Sequence, residues 1–490
     1  MADVNGSNSA SLAVAKGSRA KQASGMYFDA LDVRAGAERE RALMAALPRQ
    51  VAHAMATAPA LGQILRDVTA SRVTSRSALA MLPVVRKHED FMERQAARSA
   101  HDPFAGFSAV GWNGVHGPSS VRRVFQSPGP LYEPEGHGGD FERTARAMFA
   151  AGFKPGELVH NSFSYHLTPA GAMMEAGAFA LGCAIFPGGT GNTDLQLRAI
   201  LDLRPTCYVG TPSFLKVLLE RAAAQGVERL SFTKALVSGE AFPPVARSWL
   251  QERGIDAYQC YVTAELGLIA YETAPREGMV LDEGVIVEIV RPGTGDPVPD
   301  GEIGEVVVTS LNPDCPLIRF GTGDLSAVLP GHCPSGRTNV RIRGWLGRAN
   351  QTTKVRGMFV SPQQVAEVAR RHPQVERTRL VIGGSSAGAW EPDAMTLKVE
   401  AASAEPALRE ALMASMREVT KLRCEVEIVA PNSLPTAAVA PRATVPQNAT
   451  RAAPTTADAP PARAAIAPSA TRHNSDTSET TSTRRSTGAR

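Results

Sequence analysis

Apolar positions change their spacing several times along the chain, and each change marks a different kind of element. They recur at helical intervals over 37–55 and again over 142–150, so helices are predicted there. From residue 158, strand-sized apolar runs alternate with helix-sized ones: LVHNSF, AGAMMEAGAFAL, CAIFP, DLQLRAILDL, CYVG, PSFLKVLLERAAAQG and KALVSG follow in order. That alternation predicts βα units and a layered sheet. Between 284 and 329 the period shortens to two in VIVEIV and EVVVTSL, which flank the turn-rich RPGTGDPVPDGEIG and predict a β-rich subdomain. After 347 the pattern reads strand 354–360, helix 362–371, strands 379–382 and 395–399, helix 406–421 and strand 425–429.

The expected fold class is therefore α/β. A large layered N-terminal domain with a β-rich subdomain covers 26–346, and a small α+β C-terminal domain covers 347–435. Residues 1–25, rich in Ser, Ala, Gly and Lys, read as a disordered lead-in. Beyond 435 Ala, Thr, Pro, Ser and Arg dominate, and Val439, Val445 and Ile466 are the only large aliphatics. So little apolar surface cannot offset an ordering entropy of ~1–2 kcal/mol per residue, and 436–490 is expected to be a disordered tail.

Composition adds limits to this picture. A chain of 490 residues, 43% apolar and 20% charged, is large enough for more than one core and is balanced like a globular enzyme. The tail's seven arginines and three acids account for the whole formal charge of +4, so 1–435 is neutral and nucleic acid is not an expected partner. Six scattered cysteines without C-x-x-C spacing, and no apolar signal core behind the polar N-terminus, predict a cytoplasmic protein. The most apolar stretch, 170–186, is shorter than a bilayer span and carries Glu175, so no membrane partner is expected.

Several loops carry candidate chemistry. A short carboxylate such as Asp324, read in an exposed loop after a strand, can accept from both hydroxyls of a ribose. Arg348 can donate to ribose or phosphate oxygens, Tyr261 offers a flat face, and Glu265 offers a hard oxygen. Gly384 to Gly388 fits G-x-S-x-G, but a further strand pattern follows where a nucleophile elbow needs a helix. PGGTGNTD over 187–194 reads as a strand-to-helix turn with Thr193 or Asp194 as cap, and His160, Phe163, Tyr165 and His166 could line a pocket.

PLIRFGTGDLSAVLPG (316–331), GRTNVRIRGWLGRANQTTKVRGMFVSP (336–362), YQCYVTAELG (258–267) and KALVSGEAFPP (234–244) resemble, in this order, motifs of the phenylacetate-coenzyme A ligase family of adenylate-forming enzymes. The likeness covers about 26–435. It implies a carboxylate–CoA ligase that makes acyl-CoA, AMP and pyrophosphate from acid, ATP and CoA, with an aryl or small acid as substrate. It also implies Glu265 and Arg348 as catalytic residues and Glu265 on Mg²⁺. The nucleotide would be held by Gly239, Glu240, Tyr261, Thr263, Asp324 and Arg348, with Ser127 and Gly129 from the phosphate loop, and the small domain would pivot near Asn350. Homodimerisation is compatible with these readings.

The departures from the family are specific. The loop over 127–134 lacks the family's threonines and lysine, and Glu133 would put a negative charge where phosphates need donors. Ala264 stands at the Ser/Thr position beside Glu265, with Thr263 one residue away. The segment SLPTAAVAPR places Ala440 at the family's C-terminal lysine, with Arg442 nearby. Some family members hold zinc; here Cys333 matches one ligand while Thr273, Val280 and Ser335 stand at the others, so no zinc is expected. The missing lysine leaves a second reading: a nucleotide- or partner-binding descendant, or an enzyme restricted to thioesterification.

Overall fold

The computed structural model describes residues 25–97, 102–112, 115, 121–127, 131–349, 353–355, 358–360, 362–383, 394–401, 403, 405–431 and 433–434. The tail, all but the last residue of the expected lead-in, Gly129, Asn350, Gly384 to Gly388, Ala440 and Arg442 lie outside the described residues.

The βα alternation folds into half of a nine-stranded sheet. Asp256–Thr263, Lys234–Val237, Cys207–Gly210, Leu158–Asn161 and Ala184–Pro187 lie side by side and parallel, with Ala184–Pro187 at the edge. Their crossovers run through the helices Ala170–Ala180, Thr193–Leu203, Pro212–Ala224 and Pro244–Gln251. Past Asp256–Thr263 the sheet turns antiparallel through Gly267–Glu272, Met279–Leu281, Arg341–Ile342 and Val328–Leu329. The parallel half directs the carboxyl ends of its strands, where ligands bind in such sheets, toward one side.

The β-rich stretch forms a second sheet in the order Val85–Arg86, Phe320–Ser326, Gly304–Ser310 and Val285–Val290, with Gly347–Arg348 paired to Phe320–Ser326. Period-two strands commonly leave one face to water, but Val285–Val290 and Gly304–Ser310 are buried along their whole length. The helix Gly36–Thr57 supplies the cover: its Leu43, Leu47 and Val51 share one hydrophobic cluster with Ile286, Ile289 and Val306. Glu288, which alternation sends outward, is buried against Arg319, itself fully buried.

Residues 353–434 carry a hydrophobic cluster of their own, with Val368, Leu397, Val399, Leu412 and Met416 at its centre. The helices Pro362–Arg370 and Pro406–Thr420 accompany a three-stranded sheet of Val375–Gly383, Ala394–Ala401 and Glu425–Val429. The single strand expected over 354–360 is instead two short strands, Thr353–Val355 and Met358–Val360, paired antiparallel. The sequence between them contains Gly357, a residue suited to a reversal.

Candidate active site

A cavity of about 1300 Å³ opens at the carboxyl ends of the parallel strands. Ser162, Thr211, Ser238, Gly239 and Thr263, each at or just past the end of such a strand, line it. So do Tyr261 (on the same strand as Thr263), Asp324 and Arg348 from the second sheet, Ser127 from the hairpin Val121–Ser127/Leu131–Gly136, and Gln364, Val419 and Lys421 from the C-terminal portion.

Tyr261, Asp324 and Arg348 meet directly. Asp324 is not in an exposed loop: it lies inside the strand Phe320–Ser326, is buried, and faces Arg348 across an antiparallel pair. Gly323, with φ of +71°, is absorbed within the strand and does not open a loop. A Cβ at Gly323 would come within 2.8 Å of Arg348 Nη2, so glycine permits the arginine's approach. Tyr261 OH donates to Asp324 Oδ2 at 2.8 Å, and Arg348 Nη1 donates to Oδ1 at 2.7 Å and to the Thr322 carbonyl at 3.0 Å. Burial, and then the Asp324 charge, push the Tyr261 phenol well above its ordinary value, so it remains a donor.

Glu265 lies at the turn after Asp256–Thr263, buried, in an ion pair with Lys87. Burial acts to raise its carboxyl, but the Lys87 ammonium and the Thr263 hydroxyl outweigh it and hold the group below the usual range. The Lys87 backbone follows directly on the short strand Val85–Arg86, and its side chain lines the cavity.

The charge expected at Glu133 is not delivered to the cavity. Its side chain turns inward, is buried, and accepts from Ser127 Oγ at 2.7 Å. Burial and the neighbouring Glu265 charge push its carboxyl up to about 8, so at neutral pH it is largely an uncharged acid. Glu240 also has local work: Oε1 accepts from the Ser213 amide at 2.6 Å, capping the helix Pro212–Ala224. Gly239 adopts φ of +90°, and a Cβ there would touch Thr211 and Phe163.

The four aromatic and histidine candidates separate. Phe163 and His166 line the cavity, whereas His160 is buried, bonded to Gln196 at 2.7 Å and stacked near Phe186. Tyr165 donates to Glu175 at 3.0 Å and accepts from Asn161 at 2.8 Å. The 187–194 turn is closed by Gln196, which donates to the Gly189 and Gly191 carbonyls; Asp194 pairs with Arg221 and does not cap. Cys333 lies 3.8 Å from Thr273 Oγ1 and 3.0 Å from Ser335 Oγ, so three of the positions compared with zinc ligands adjoin, two of them as hydroxyls.

Sequence reasoning missed Lys87 and Trp345, whose indole Nε1 donates to Asp324 Oδ1 at 3.0 Å. One signal was available for Lys87: the chain has only nine lysines against 43 arginines, which makes each lysine worth locating. Nothing local marked Trp345.

Residues 144–312 match the family model described as AMP-binding enzyme. Over 242 residues, the chain is 34% identical to the phenylacetate-coenzyme A ligase of Thermus thermophilus, covering 48% of this chain and 54% of that one. This region is phenylacetate-coenzyme A ligase-like. The chain spans about half the length of the curated relatives it matches. A solved 2-hydroxyisobutyryl-CoA ligase, in complex with 2-HIB-AMP and CoA in the thioesterification state, superimposes with a TM-score of 0.74 at 25% identity. That match covers 86% of this chain and 92% of the other. The same ligase in the postadenylation state, with R3-HIB-AMP, gives 0.64 at 25% identity over the same shares.

Proposed function

We propose that this phenylacetate-coenzyme A ligase-like chain is an AMP-forming acid–thiol ligase. The observation that carries the proposal is the convergence of Tyr261 and Arg348 on the Asp324 carboxylate, in a cavity that extends from Ser127 and Lys87 to Lys421. Asp324 and Arg348 hold the ribose of ATP, Tyr261 and Gly239 bound the base, and Lys87 faces phosphate oxygens. In the first step a substrate carboxylate oxygen attacks the α-phosphorus and pyrophosphate leaves. In the second the CoA thiol attacks the acyl carbonyl, loses its proton and expels AMP. The chain's part is to orient the two reactants and to set fixed charge where negative charge builds.

Glu265 and Thr263 fit Mg²⁺ in donor type, as an ionised carboxylate and a hydroxyl, both hard oxygens. Bound there, the metal would neutralise charge on the departing pyrophosphate. Phe163, Met173 and Met174 give one wall of the cavity an apolar surface suited to an aryl or small acid. We read 26–346 as the body of the enzyme and 347–435 as the mobile small domain. The higher score against the thioesterification state supports that arrangement for 353–434. The expected cytoplasmic location fits a reaction that uses ATP and CoA. Exposed Phe179, Leu195 and Leu203, on the helices flanking the edge strand Ala184–Pro187, favour a homodimer.

Pyrophosphate exchange with a panel of aryl and short-chain acids tests the first step, and thioester formation from presynthesised acyl-AMP tests the second. Activity in both is expected. Loss of both, with ATP binding retained, would leave a nucleotide-binding protein.

A further inference from the structure

Asp324 is engaged by more donors than a ribose-binding carboxylate can keep. Its Oδ1 accepts from Arg348 and from Trp345, and its Oδ2 accepts from Tyr261. A carboxylate has about four lone-pair directions, and a ribose diol brings two donors of its own. Five donors do not fit four positions, so one of the three side chains must yield.

The structure identifies which. Tyr261 is fixed within a strand opposite Ala270, and its ring belongs to the packing around the main core. Arg348 is opposite Asp324 in register and is tied to the Thr322 carbonyl as well. Trp345 is 41% exposed, lines the cavity, and its indole has a single N–H, which is spent on Asp324. Its backbone is held on both sides: Ser326 Oγ donates to the Gly344 carbonyl at 2.7 Å, and the Leu346 amide donates to the Leu325 carbonyl at 2.9 Å. The side chain can therefore rotate about its own bonds while the segment stays in place.

We propose that Trp345 is a latch on the nucleotide site: its indole N–H and a ribose hydroxyl exclude one another at Asp324 Oδ1, so the tryptophan sets the affinity for an adenosine nucleotide. This rests on reading Asp324 as the ribose carboxylate. Trp345 is a positioning residue, acting through Asp324 and not on the reacting atoms. It keeps the buried carboxylate supplied with donors until a ribose takes over, and each exchange costs nucleotide affinity.

The test is AMP titration of the full-length chain by calorimetry and tryptophan fluorescence. Trp345→Phe keeps the ring and removes the donor, and it is expected to bind AMP about 3- to 10-fold more tightly than the unaltered chain, the value of one hydrogen bond to a charged group discounted for exposure. The unaltered chain should change its emission on binding AMP, whereas Trp345→Phe, with Trp112, Trp249 and Trp390 remaining, should lose most of that change. Trp345→Leu repeats the measurement should the phenylalanine variant fold poorly. Equal or weaker AMP binding by these variants, with binding abolished by Asp324→Ala, overturns the latch. AMP binding that is indifferent to Asp324→Ala overturns the nucleotide reading itself, and the latch with it.

Discussion

At one end of the cavity Asp324 takes hydrogen bonds from Tyr261, Trp345 and Arg348; at the other Glu265 is held charged by Lys87, with the uncharged Glu133 behind it. Both ends set a buried carboxylate against a cation, but they are assembled differently. The Asp324 end is made by strand pairing, since register alone brings Arg348 opposite the aspartate. The Glu265 end is made by a lysine from the N-terminal part of the chain, next to a hairpin whose own polar group has turned inward. A site written into register tolerates changes around it, while one built from a single distant charge depends on that charge.

Two substitutions make the contrast measurable. On the proposed reading Asp324→Ala removes the acceptor for both ribose hydroxyls, at ~1.5–3 kcal/mol for each hydrogen bond to a charged group, so nucleotide affinity should fall about 100-fold or more. Calorimetric titration with AMP reads this directly, and a loss under tenfold would detach Asp324 from the nucleotide. Lys87→Ala is expected to slow pyrophosphate exchange by about 10- to 100-fold through loss of a fixed positive charge. It also leaves Glu265 buried without its cation, so that carboxyl should move up toward neutrality, whereas Lys87→Arg should restore the charge balance. Unchanged exchange in Lys87→Ala would return the phosphate end to the 121–136 hairpin.

What was readable in advance follows the same division. The βα alternation from 158 to 237 and the strands at 285–290 and 304–310 were legible because period and length are local properties. Tyr261, Asp324 and Arg348 could be singled out because each sits within a compact stretch of resemblance. Burial of both faces of Val285–Val290 was not readable, since the covering helix lies at 36–57 and alternation says nothing about a distant partner. Glu133 was misjudged for a related reason. Its position was correct, but whether a strand side chain points to a cavity or a core is fixed by the sheet's surroundings. Trp345 escaped because its role consists of one hydrogen bond across 21 residues.

A subtler probe of the Glu265 end is Glu133→Gln. With its carboxyl raised from 4.5 to about 8, this group favours the folded state fully below about pH 4.5, and that contribution is lost as pH rises toward 8, because the unfolded chain releases the proton first. The glutamine oxygen can still accept from Ser127, so the fold is kept while the titration is removed. Glu133→Gln should therefore be more stable than the unaltered chain at pH 8, by roughly 4 kcal/mol, and indistinguishable from it near pH 4.5. Glu142, also pushed up to about 8 by burial, keeps a residual slope of the same sign. Denaturant melts across that range give the answer, and parallel pH profiles for the two proteins would mean that folding leaves the Glu133 carboxyl at its ordinary value.

The smallest expected effect lies where the C-terminal portion meets the cavity. Lys421 follows the helix Pro406–Thr420 with φ of +60°, the left-handed position that glycine occupies at little cost and other residues do not. Lysine there recovers part of the cost through its charge at the helix C-terminus, ~0.3–1 kcal/mol, so Lys421→Gly should gain only about 0.5 kcal/mol. For a protein of this size, that is a rise of roughly 0.5 °C in the melting midpoint. The same side chain is exposed and lines the cavity, where it can meet a phosphate of CoA; an exposed pairing of this kind contributes ~0.2–1 kcal/mol, so KM for CoA should rise about two- to fivefold in the glycine variant. Stability and thioester formation would then move in opposite directions at one residue. A glycine variant that is more stable with KM for CoA unchanged would make Lys421 a helix cap and nothing more.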